Sequence, residues 1–133
     1  MSDRRSIVVD GLDHGTNPIP AASRIGPFIA TGGVRGVDPA TGEMPADAAA
    51  QVSLMFANLE AILRASGAGF EDVLKVTVWL ATPDARPAIN EAWVRAFPDP
   101  ASRPARHILN YALGHGMLVQ CDALAVLTAK ESS

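Results

Sequence analysis

A domain of the α+β class, a sheet with two helices on one face, is what this sequence predicts, and three observations predict it. Strand-like and helix-like stretches follow one another in the order β, β, β, α, β, α, β, β. Both helical stretches carry a one-sided apolar stripe, so each has a face to bury. The final strand is apolar on both sides, with Val119, Cys121 and Ala123 opposite Leu118, Leu124 and Val126, and two helices on one face leave its second side uncovered. At 133 residues the whole chain, 1–133, is expected to be a single domain with no room for a separate cofactor domain.

Ile7–Val9 reads as a short first strand, and Asp10–Ser23, rich in Gly, Pro and Asn, reads as a loop. Phe28–Thr31 is a buried strand ending at Gly32-Gly33, where paired glycines permit either a bulge or the close approach of a ligand to the backbone. Val34–Val37 reads as its partner strand, closed by the turn Asp38-Pro39-Ala40-Thr41-Gly42. From Asp47 to Ser66, Val52, Met55, Phe56, Leu59, Ile62 and Leu63 recur at helical spacing, with Asp47 as N-cap and Gly67 as the stop.

Val73–Ala81 alternates, Val76, Val78 and Leu80 against Lys75, Thr77 and Trp79, and is a strand with a mixed second face. A second helix over Ala85–Phe97 places Ile89, Trp93 and Phe97 on one side, and Pro98-Asp99-Pro100 ends it. The last third reads as a hairpin, with strands Ala105–Ala112 and Met117–Leu127 turning around Leu113-Gly114-His115-Gly116.

Hydrophobic residues are 48% of the chain and charged ones 19%, more apolar surface than a monomer of this size hides, so the uncovered sheet face is expected to meet further copies of the chain. Grooves between copies are common ligand sites. The formal charge of −3, without a Lys/Arg run, argues against nucleic acid as a partner. One cysteine, Cys121, excludes an intramolecular disulfide and a multi-cysteine zinc site. His14, His107 and His115 lack metal-ligand spacing, so neither a metal nor another cofactor is expected. Met1–Ser6 leads into too short an apolar run for a signal peptide or membrane span, and a cytoplasmic location is expected, without membrane contact.

The most informative residue is Arg106, which follows Arg103-Pro104-Ala105 at the mouth of an apolar strand. Its planar fork suits bidentate capture of a carboxylate, and equally an interface salt bridge.

The glycine pair, the turn and helix start Asp38–Asp47, Lys75-Val76-Thr77-Val78, Asn90 and Arg103–Arg106 occur together in an order that resembles the RidA family, over about Asn17 to Leu127. The resemblance implies a chorismate-mutase-like fold of the bacillus type, with a mixed sheet and two helices on one face. It also implies a homotrimer with three clefts between subunits. The family's well-studied members are enamine/imine deaminases, which hydrolyse 2-aminoacrylate and related 2-imino acids to 2-keto acids and ammonia. By the same resemblance, Arg106 holds the carboxylate of a small 2-imino or 2-keto acid and the backbone of His107 helps to seat it. Asn90 lies near the cleft, in either a ligand-binding or a capping and packing role.

Three positions depart from the deaminase pattern. Gly32 replaces a serine, Ile19 replaces an aromatic residue, and Gln120 stands where a glutamate positions the attacking water. Glutamine can hold that water but cannot take its proton, and loss of a general base costs about 10²–10⁴-fold. His107 or His115 could carry the proton instead. A weakened deaminase is therefore expected, and the alternative is a non-catalytic module that binds small carboxylate metabolites. A ribonuclease role, carried by name in parts of the family, lacks an electrostatic footprint here.

Overall fold

The computed structural model describes residues 3–128, as seven strands and two α-helices. The strands are β1 (Arg5–Ile7), β2 (Ala22–Ile25), β3 (Phe28–Thr31), β4 (Val34–Arg35), β5 (Val73–Leu80), β6 (Ala105–Asn110) and β7 (Val119–Val126). Helix α1 runs over Ala48–Ala65 and α2 over Arg86–Ala96. All strands join one mixed sheet in the order β1-β2-β3-β7-β5-β6, with β4 also on β7. Only β5 and β6 are parallel, joined by the crossover through α2.

Helix α1 forms where its apolar period predicts. Val52, Met55, Phe56, Leu59, Ile62 and Leu63 are buried, and the Asp47 side chain accepts a hydrogen bond from Ala50 N at 3.0 Å. The helix stops at Gly67, whose φ of +89° suits the left-handed position that follows an α-helix. Two polar residues in the buried face tie the helix to its surroundings. Gln51 donates to the carbonyls of Pro45 and Gly116 and accepts from Leu118 N, while Asn58 donates to the carbonyls of Arg35 and Val37. With their amide nitrogens so bonded, such residues fix a geometry that an apolar side chain would not.

Four expectations are corrected. The first strand ends at Ile7, because the chain already turns at Val9, whose carbonyl accepts from Leu12 N. Within the expected loop a strand, β2, begins at Ala22 and pairs with β3 across Gly26-Pro27. Its Ala-Ser-Arg-Ile sequence lacks the alternation that marks a strand. Strand β4 is not the partner of β3. Both lie along β7, and the register slips by one residue between Ala30↔Leu124 and Val34↔Cys121, so Gly32-Gly33 is a bulge.

The C-terminal hairpin is absent as well. β6 and β7 flank β5 on opposite sides, because a crossover helix returns β6 parallel to β5 and the link after β6 then passes over the end of β5. Tyr111 N donates to Leu80 O, and Ala81 N donates to Leu118 O, which holds both ends of that link against β5.

Val76, Val78 and Leu80 of β5 and Val119, Cys121, Ala123 and Ala125 of β7 are buried beneath the helices. The opposite face carries Phe28, 63% exposed, and Leu124, 48% exposed, beside half-buried Trp79 and Val126. An apolar sheet face left open to this extent calls for a covering partner.

Candidate functional site

Arg106 enters the site from the second residue of β6, on the face that packs against α2. The turn before β6 is rigid. Ala101 N donates to Asp99 Oδ1, and Arg103 Nε donates to Phe97 O at 2.8 Å, closing the C-terminal end of α2. The Arg106 guanidinium carbon lies 4.9 Å from the ring centroid of Trp93, a cation–π contact. Trp93 is held in turn by Phe97, centroid to centroid 4.6 Å, and Phe97 meets Phe70 edge-on at 5.4 Å. An aromatic cluster thus backs the guanidinium.

Among the described residues no carboxylate pairs with that charge. Nη1 of Arg106 is buried and has no hydrogen-bond partner among the described residues. A buried donor left in this state costs about 1–3 kcal/mol, more when charged, unless an acceptor arrives. Burial first and the charge of Arg86 second lower the pKa of Arg106 from its ordinary value. Guanidinium nevertheless stays protonated in proteins.

The remaining expected residues fall in two groups. Asn90 is exposed on α2, and His107 is exposed on edge strand β6, next to Arg106. Gly32, Ile19 and Gln120 gather elsewhere. Gly32 N donates to Ala21 O in the segment that carries Ile19, which is itself exposed. A Cβ on Gly33 would come within 2.5 Å of Gln120 Nε2, so the second glycine of the bulge makes room for that amide. The side chain of Gln120 belongs to the open sheet face, since its neighbours Val119 and Cys121 are buried beneath the helices.

Within one chain the two groups cannot hold the same small molecule. Arg106 is in register with Val76 and thereby Ala123, whereas Gln120 is in register with Trp79 and thereby Leu109. That places them about 10 Å apart along the strands and about 10 Å across them, on opposite faces.

Three contributors escaped the sequence reading. His14 Nε2 lies 3.6 Å from where a Cβ on Gly32 would sit, a proximity made by a loop with no periodic signal. Trp93 is buried in the core as its helical spacing implies, and its ring also carries Arg106, which the spacing does not reveal. Arg86 shares the α2 stripe of Asn90 and Trp93 at i, i+4, i+7, a spacing visible in the sequence once Arg106 is known to pack there. His115, by contrast, is exposed with φ of +60° in the β6–β7 link, and His107 lies on the face opposite Arg106.

A family model described as endoribonuclease L-PSP matches residues 16–127. The 2-iminobutanoate/2-iminopropanoate deaminase of Escherichia coli K12 is 30% identical over 124 residues, covering 92% of this chain and 97% of its own. The chain belongs to the RidA family. Among solved structures, the RidA of an Antarctic Psychrobacter superposes with a TM-score of 0.84 at 27% identity, over 92% of this chain and 99% of its own. E. coli TdcF with bound serine gives 0.84 at 28% identity, over 93% and 99%. The mixed sheet with two helices is therefore the RidA-type fold.

Proposed function

We propose that this RidA-family chain is an enamine/imine deaminase that works as a homotrimer and hydrolyses 2-aminoacrylate-type 2-imino acids to 2-keto acids and ammonia. The observation that carries the proposal is the Arg106 guanidinium, fixed on Trp93 and matched by no protein carboxylate among the described residues. The deaminase name of the E. coli relative and the amino acid bound to TdcF support a small carboxylate as its ligand.

Assembly follows from the same geometry. The Arg106 group and the Gly32–Gln120 group meet only if they come from different copies, and the open apolar face supplies the contact. In the cleft so formed, Arg106 takes the carboxylate and the His107 backbone seats it, while Gln120 holds a water. As the water oxygen bonds to the imine carbon, the C=N pair moves to nitrogen and the water proton passes to His14. His14 then returns a proton to the amine. The C–N bond breaks as the carbinol O–H passes its proton, through His14, to the departing nitrogen and becomes C=O, and ammonia leaves.

The test mixes purified protein with imino acid generated in situ by an amino-acid oxidase and follows imine decay. Wild type should exceed the buffer rate and Arg106→Ala should not; equal rates for buffer, wild type and variant reject the enzyme. Gln120 and Gly32 favour a second reading, a non-catalytic carboxylate-binding module. Calorimetric binding of 2-oxobutyrate that Arg106→Ala abolishes, with no turnover by wild type, would select it.

A further inference from the structure

Arg86 is the one cation in this region that the proposed reaction leaves unused. It is the first residue of α2 and exposed, and its guanidinium makes no ion pair or hydrogen bond among the described residues. One turn along the same stripe is Asn90, exposed, and one turn further is Trp93, the ring on which Arg106 stacks. Two guanidinium groups and an amide therefore front one patch, a donor set without a fixed acceptor. The acidic residues nearest in sequence do not neutralise it. Glu91 lies 4.0 Å from Arg95, and the carboxylate of Asp84 makes no ion pair among the described residues.

We infer that Arg86 binds a second acidic group and sets the specificity of the cleft toward 2-imino and 2-keto dicarboxylates, one carboxylate on Arg106 and the distal one on Arg86. This rests on Arg106 being the carboxylate clamp of the proposed function. Arg86 is close enough to Arg106 for its charge to be felt there, second only to burial in lowering the pKa of Arg106. Like charges held together by the fold repel each other when the site is empty, and a dianion relieves both at once, whereas a monocarboxylate relieves one. Specificity of this kind comes from the penalty on the partner that leaves a charge unanswered.

The experiment is calorimetric titration of the full chain with 2-oxobutyrate and 2-oxoglutarate at low and moderate salt, for wild type, Arg86→Ala, Arg86→Gln and Arg106→Ala. Wild type should bind the dicarboxylate about tenfold more tightly, with the steeper salt dependence. Arg86→Ala and Arg86→Gln should erase that preference, weakening 2-oxoglutarate far more than 2-oxobutyrate. Both substitutions suit an exposed helical position, and an unaltered thermal melt will verify that they fold. Equal affinity of wild type for the two acids overturns the assignment while the clamp stands, and so does an Arg86 variant that weakens both acids alike. Failure of wild type to bind either acid overturns the clamp and this inference together.

Discussion

At the residue scale the proposed chemistry centres on one guanidinium, unmatched among the described residues. Arg106 was legible in the sequence because a proline-punctuated turn ahead of an apolar strand is an unusual place for an arginine. Its environment was not legible, because Trp93 and Arg86 reach it from another element and no spacing rule links residues on a helix to a strand. If Gln120 only holds a water, Gln120→Glu should raise kcat for imine hydrolysis by about 10²-fold with little change in KM. His14→Ala should lower kcat by a similar factor. Asp122 makes a separate test on the open face. Burial raises its pKa, and Lys75 offsets part of the rise. The folded chain thus binds this proton more tightly than the unfolded one, a stabilisation present below the ordinary carboxylate range and lost as pH rises through the raised value. Asp122→Asn should increase the Tm at neutral pH and leave it unchanged near about pH 3, as read by thermal melts.

The element scale shows what periodicity reveals and where it stops. Helix α1 was readable down to its cap, because six apolar residues at 3.6-residue spacing admit one interpretation. The hairpin expectation failed because two adjacent strands look alike whether they pair with each other or with a third strand between them. Only the parallel crossover through α2 decides, and crossovers are a property of topology. Close contacts were equally hidden. A Cβ on Gly36 would collide with the Gln51 carbonyl oxygen, so the chain just after β4 approaches the backbone of α1 through that glycine. Gly36→Ala should destabilise the fold by about 1–3 kcal/mol in urea titration, since backbone cannot give way as a flexible side chain can. The Cys121 thiol is fully buried, and burial drives its pKa far above the ordinary value. It should resist thiol reagents in native protein and react once denaturant exposes it.

At the scale of the whole molecule, the open sheet face and the divided site make the same demand, a second copy in contact. In solution the chain should sediment at about three times 13.9 kDa. Leu124→Asp, which puts a charge in the centre of the open face, should yield smaller species and abolish imine hydrolysis together. A variant that stays active as a monomer would separate the cleft from assembly.

Strand β7 is added late in synthesis and yet lies at the middle of the sheet, between β3 and β5. A nascent chain on the ribosome therefore holds two half-sheets with a slot between them and cannot zip them together until that segment emerges. Each half has unpaired edges in the meantime, and such edges are templates for aggregation until β7 pairs with both.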